Sequence, residues 1–177
     1  LQYLNSSNPE FQFANVDQGT IGGIELELRK TLGFIAPAFD KFKISTNLTL
    51  ITSTMDVIEQ SGLEPESRPF EGQSPLLANL SLGYLNPDSK WDIQVSYNYT
   101  GERLAVVGLN SPDIYERGLS TLDAVISKKL GNVSLKFAAN NLLNPNYTTS
   151  SEYLGQEYLT RQYKKGTSFV LSVAYEL

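Results

Sequence analysis

The chain has neither cysteine nor histidine among its 177 residues. That excludes disulfide scaffolds, thiol redox chemistry and the zinc centres these two side chains build. Any Ser-His or Cys-His nucleophile pair is excluded as well. Long apolar runs are missing too: no stretch approaches the roughly 18 consecutive apolar residues of a membrane-spanning helix. A spanning strand stays open, because strands with one apolar face average to an ordinary soluble composition. Positive charge is in short supply, with 14 Lys and Arg against 19 Asp and Glu for a net charge of −5. That balance argues against nucleic acid as a partner. Methionine and tryptophan occur once each, whereas tyrosine occurs ten times. Tyrosine is favoured in strands and at membrane interfaces alike.

What the chain does have is alternation. It is clearest from Gly166 to Leu177, GTSFVLSVAYEL, where Phe169, Leu171, Val173, Tyr175 and Leu177 take every second place. Between them stand Ser168, Val170, Ser172, Ala174 and Glu176. A period of two gives a strand with one greasy face. The same period recurs at Gly23 to Thr31, Lys41 to Thr54, Pro75 to Leu85, Trp91 to Thr100, Leu119 to Leu130 and Val133 to Asn141. With a weak strand at Phe11 to Val16 and a closing strand from Tyr158 to Leu177, eight strands are expected.

Short turns near 36, 87 and 131 alternate with polar stretches at 55–74, 109–118 and 144–156, which read as loops without regular structure. A meander with one rim of short turns and one of long loops is the pattern of an antiparallel, up-and-down transmembrane β-barrel. A soluble sandwich or a lipocalin-like barrel would alternate in the same way. Two features favour the membrane. The strands exceed the ~5–6 residues common in globular sheets, and Phe42, Tyr84, Trp91 and Tyr175 would all fall at one rim, as in an interfacial girdle.

The polar faces carry Glu25, Glu27, Arg29, Lys43, Asp92, Asp123 and Lys136, expected to face a wet lumen. Glu25 and Glu27 lie two apart and could mimic a catalytic or metal-binding pair. Without a perturbing neighbour in view, water-facing charges are the simpler reading. Asp113, Tyr115, Glu116 and Arg117 fall in an expected outer loop and are candidates for ligand contact. No catalytic residue, metal ligand or cofactor is expected.

Four pieces carry a resemblance. They are GIELELRK (Gly23 to Lys30), LANLSLGYLNPDSKWDIQVSYNYTGERL (Leu77 to Leu104), LKFAANNLLNPNY (Leu135 to Tyr147) and YLTRQYKKGTSFVLSVAYEL (Tyr158 to Leu177). In this order they resemble the C-terminal part of a TonB-dependent outer-membrane receptor, most like those of Bacteroidetes. The resemblance implies that residues 1–177 are roughly the last third of a 22-stranded barrel, with the plug domain and earlier strands elsewhere. It implies a bacterial outer-membrane location and import of a scarce nutrient (an iron chelate, a cobamide or a glycan) driven by the TonB energy-coupling protein. Implied partners are lipid, the plug and remaining strands, the barrel-assembly machinery and a surface lipoprotein. Phe169, Leu171, Val173, Tyr175 and Leu177 would meet lipid and the assembly machinery. One departure is the final residue, Leu177, where the family commonly ends in Phe.

The opening LQYLNSSNPEF lacks the basic start and apolar core of a signal peptide. A mature product or a piece of a longer protein is therefore expected. A complete eight-stranded barrel, acting as an adhesin or small porin, is the first alternative, and a soluble lipocalin-like carrier the second.

Overall fold

Alternating residues along each run make both helix periodicities unsatisfiable, and the backbone of the computed structural model is extended almost throughout. It describes residues 2–4, 10–12, 15, 18–57, 66–108 and 111–176. In chain order the strands are β1 (Gln2–Leu4), β2 (Glu10–Gln12), β3 (Gly19–Thr31), β4 (Phe42–Val57), β5 (Glu66–Arg68), β6 (Leu76–Asn86) and β7 (Trp91–Thr100). There follow β8 (Arg103–Gly108), β9 (Ile114–Glu116), β10 (Leu119–Leu130), β11 (Val133–Asn140), β12 (Tyr147–Tyr153), β13 (Gln156–Tyr163) and β14 (Ser168–Tyr175). Between β3 and β4 lie two single 3-10 turns, Leu32–Phe34 and Pro37–Phe39. No helix among the described residues is long and apolar enough to cross a membrane.

The long strands form one antiparallel meander in the order β14-β11-β10-β7-β6-β4-β3, with β5 added beside the end of β4. Its short connections are 32–41, 87–90 and 131–132, all at one end. A second sheet, β13-β12-β9-β8-β1-β2, stands at the other end. It continues the first: β7 runs on into β8, β9 leads into β10, β11 runs on into β12, and β13 leads into β14. Neither sheet closes, and β3 and β14 lie at opposite edges of the meander.

Several sequence expectations are corrected here. The stretch 55–74 is not all loop, because β4 runs through Met55 to Val57 and pairs there with Glu66–Arg68. The stretch 109–118 contains β9, and 144–156 contains β12. The closing run from Tyr158 is two strands, since the pairing breaks at 164–167. Gly166 takes a positive φ of 84° at that break, beside Asn141 and Asn144 at 57° and 43°. Asn141 donates from Nδ2 to the Gly166 carbonyl at 2.7 Å, and the Gly166 N–H donates to Asn144 Oδ1 at 3.1 Å. These bonds tie the segments 141–146 and 164–167 together, at the level where the β11–β14 pairing ends at Asn140 and Ser168. The expected first strand also differs. Glu10–Gln12 pairs with Gln2–Leu4 in the second sheet, so the meander has seven long strands, and Phe13, Ala14 and Val16 lie outside the described residues.

Conventional core is scarce. Among the described residues the buried apolar ones are Met55, Leu104, Val107 and Ala139, and the first three cluster with Phe70 and Tyr115 where β4 meets β8 and β9. The seven-stranded meander is a single layer.

Candidate functional site

Register decides what each face of that layer offers. One row runs Phe42, Tyr84, Ile93, Ile126, Phe137, Leu171 across six strands without a polar member. The next includes Ile44, Leu82, Val95, Ala124, Ala139 and Phe169. Among the described residues no second layer packs on this face: Leu171 is 72% exposed and Phe169 64%. Isolated exposed apolar side chains are ordinary, but a contiguous apolar face of this extent is not.

The opposite face is built from the alternate residues. Glu27, Asn47, Asn79, Asn98 and Thr121 form one cross-strand row. Arg29, Ser45, Ser81, Ser96 and Asp123 form the next. Their side chains bond along the sheet: Arg29 Nε meets Glu27 Oε1 at 2.5 Å, Asn47 donates to Glu25, and Gln94 Nε2 donates to Ser81 Oγ at 3.1 Å and Ser96 Oγ at 3.2 Å. Glu25, Glu27, Arg29, Ser45, Asn47, Asn79, Ser81, Ser96 and Asn98 border a concavity of about 510 Å³.

The structure brings all seven charged candidates to this polar face: Glu25, Glu27, Arg29, Lys43, Asp92, Asp123 and Lys136. Asp123 has a structural task, accepting the Asn141 backbone N–H at 2.7 Å where β11 ends. Glu25 and Glu27 have partners of their own, Asn47 and Arg29. Among the described residues no group of three or more acidic side chains gathers as a metal site would require. The uncharged rows of Asn and Ser were missed as a site, although they share the parity that located the charges.

The four candidates placed in an outer loop lie instead in and beside β9, which pairs with β8 and β12. Asp113 meets Arg68 Nε at 2.6 Å and accepts the Gly108 N–H at 2.9 Å. Tyr115 packs on the Met55, Leu104 and Val107 cluster. Burial raises its pKa first, the Asp113 charge raises it further, and Arg68 opposes. Glu116 accepts from Arg103 Nε at 2.8 Å and Nη2 at 2.6 Å. Arg117 clamps two elements, bonding Glu102 at the β7–β8 junction and Glu157 on β13, the latter through Nε at 2.9 Å. Those hydrogen bonds, Glu157 first and Glu102 second, raise the Arg117 pKa. The Arg117 bond, then one from Ser150, lowers that of Glu157.

At the end with short turns, Phe42 and Tyr84 are in ring contact, Phe39 lies edge-on to Phe42 at 6.0 Å, and the Lys128 ammonium sits 4.6 Å over the Trp91 ring. Tyr175 pairs with Val133 next to the 131–132 turn. The expected aromatic rim is therefore assembled, with Phe39 added. Phe169, Leu171, Val173 and Tyr175 share the apolar face, and Leu177 lies outside the described residues.

Residues 1–142 match the profile of a family described as TonB dependent receptor-like, beta-barrel. No curated protein and no solved structure gives a match.

Proposed function

The chain belongs to the TonB-dependent receptor-like β-barrel family, and on that premise we propose that it is a section of wall from an outer-membrane nutrient importer. The single observation that carries this is the opposition of faces. Six strands present an apolar row on which no other described element packs, while the reverse side presents two hydrogen-bonding rows of Asn, Ser and charge. Water on the apolar side would cost about 25 cal/mol for every Å² left uncovered, whereas lipid covers it at no such cost. The polar rows then face a lumen, where a plug domain and water satisfy them.

In this reading β3, β4, β6, β7, β10, β11 and β14 cross the membrane, and the short turns and aromatic rim lie on the periplasmic side. The second sheet stands above the outer surface, and its paired strands raise the wall without meeting lipid. The open edges at β3 and β14 join strands of the rest of the receptor. The whole receptor takes up an iron chelate, a cobamide or a glycan, with the plug and TonB supplying gating and energy. This segment supplies wall, lumen lining and outer rim, and does no bond-breaking chemistry. The barrel-assembly machinery acts on β14, and a surface lipoprotein docks at the outer rim.

The open sheet disfavours a complete eight-stranded barrel, which would need its first and last strands paired. The charged and amide-rich inner rows disfavour a lipocalin-like carrier, which needs an apolar lumen.

The test is folding of the full-length parent. It should fold in detergent and shift its gel mobility on heating, while the 177-residue chain alone aggregates in water. A monodisperse 177-residue monomer, folded without detergent, contradicts the proposal.

A further inference from the structure

Charge is distributed unevenly over the apolar face of the meander. Among the described residues of its seven long strands, that face carries three charged side chains: Lys30, Asp56 and Lys128. Asp56 lies at the far end, where β4 pairs with β5. Both lysines lie at the end with short turns, close to the last residues of β3 and β10. Each ammonium sits over an aromatic ring, 4.5 Å from the centroid of Phe34 for Lys30 and 4.6 Å from that of Trp91 for Lys128. Neither lysine has a carboxylate partner among the described residues. The carboxylates at the two turns flanking Lys128 are committed elsewhere: Asp88 to Lys41, Glu176 to Lys129, and Asp92 to the polar face.

A groove of about 300 Å³ runs along the apolar face beside Lys128, bordered by Phe42, Leu82, Gly83, Tyr84, Ile93 and Val95 on β4, β6 and β7. Its polar groups gather at the side nearer the turns. There the row of Tyr84 and Ile93 is followed by the paired row of Asn86, Trp91 and Lys128. Asn86 donates from Nδ2 to the Tyr84 hydroxyl at 3.0 Å. Lys128 donates from Nζ to the Ser89 carbonyl, which leaves two ammonium protons for another acceptor. The half-buried Lys128 stem covers apolar surface while its charge is held at the rim.

We propose that the groove and Lys128 together seat one anionic phospholipid, its acyl chain along the groove and its phosphodiester on the ammonium. The inference rests on the receptor reading and deepens it by naming a partner at the periplasmic rim. A free phosphate would leave the groove uncovered. A neutral lipid would leave the ammonium with only a carbonyl and a ring. A zwitterionic headgroup brings a cation of its own, and the nearby carboxylates that could receive it are already held. A phosphatidylglycerol headgroup brings the negative charge alone and satisfies groove and ammonium together. Lys30, four strands away across the sheet, gives the same rim a second cation of this kind, too far off to share the seat.

The experiment places a fluorophore at Ile126→Cys in the full-length receptor, with any other cysteine replaced. Ile126 pairs with Ile93 beside the groove without bordering it. Phosphatidylcholine vesicles carry a minor fraction of either brominated phosphatidylglycerol or brominated phosphatidylcholine. Brominated phosphatidylglycerol should quench as though enriched about fivefold over its share, the preference expected of one surface cation. Lys128→Gln should abolish the preference, Lys128→Arg should keep it, and Lys30→Gln should leave it in place. Heat-shifted gel mobility checks that each variant is folded. Equal quenching by the two lipids in the unsubstituted receptor overturns the seat. So does a preference that survives Lys128→Gln, or one that Lys30→Gln removes as fully. A receptor quenched equally by both lipids loses only the seat; one quenched by neither loses the receptor reading as well.

Discussion

Phe42 and Tyr84 meet across β4 and β6 with ring centroids 4.9 Å apart, directly opposite one another in register. They sit beside the short turns, where an aromatic girdle would mark the level of the lipid headgroups. The contact is expected to be energetic and not only positional. A double-mutant cycle of Phe42→Ala and Tyr84→Ala in the parent receptor, refolded into vesicles, should return a coupling of about 0.5–1.5 kcal/mol. Strict additivity would mean that each ring is held by the interface alone.

Acid should loosen the outer sheet at one place. The Glu157 pKa is lowered, chiefly by Arg117. A carboxylate with a lowered folded-state pKa contributes stability that is complete above its ordinary range and lost as pH falls through the lowered value. Amide exchange across Gln156–Tyr163 should therefore be slow near neutrality and accelerate as Glu157 is protonated. Arg117→Ala should be fast at both pH values. An Arg117→Ala variant that kept the pH step would assign it to another group. The effect is local, because the pair is exposed and screened by solvent.

Two adjacent glycines on β3 should differ. A Cβ on Gly23 would stand 2.6 Å from the Leu50 backbone carbonyl, whereas one on Gly22 would meet nothing within 4 Å. Gly23→Val should therefore cost about 1–3 kcal/mol through strain at the β3–β4 pairing. Gly22→Ala should stay within about 0.5 kcal/mol. Urea titration of both variants in lipid checks the contrast, and equal costs would place the close approach elsewhere.

The membrane strands were legible for a physical reason. In the proposed wall, lipid on one side and water on the other impose strict alternation, so β3, β4, β6, β7, β10, β11 and β14 announce themselves in sequence. In the same proposed wall, strands above the membrane escape that demand. β12 reads YTTSSEY and β5 reads ESR, which are polar on both faces, and backbone pairing with β9, β13 and β4 makes them strands. Period two therefore marks the strands with one apolar and one polar face, and not strand as such.

Sites followed the same division. Parity placed Glu25, Lys43, Asp92 and Lys136 on one face, since parity is all that a strand face requires. It could not pair Arg117 with Glu102 and Glu157, which lie 15 and 40 residues away. Nor could it bring Tyr147 to Tyr163, because that meeting depends on the hairpin at 154–155. Leu154 and Gly155 both take positive φ there, 53° and 74°, and leucine is not a residue that signals such a turn.

Adjacent residues on β7 test the opposition of faces most directly. Val95 lies in the apolar row beside Leu82 and Ala124, and Ser96 in the polar row beside Ser81 and Asp123. This chain has no cysteine, so single cysteines at 95 and 96 can carry a fluorophore in the parent receptor, with any other cysteine replaced. In vesicles of brominated lipid, the label at Val95→Cys should be quenched by the acyl chains and shielded from iodide in the water. The label at Ser96→Cys should show the reverse. Equal quenching by lipid at both positions, or iodide access at both, would contradict a wall with lipid on one side and a lumen on the other.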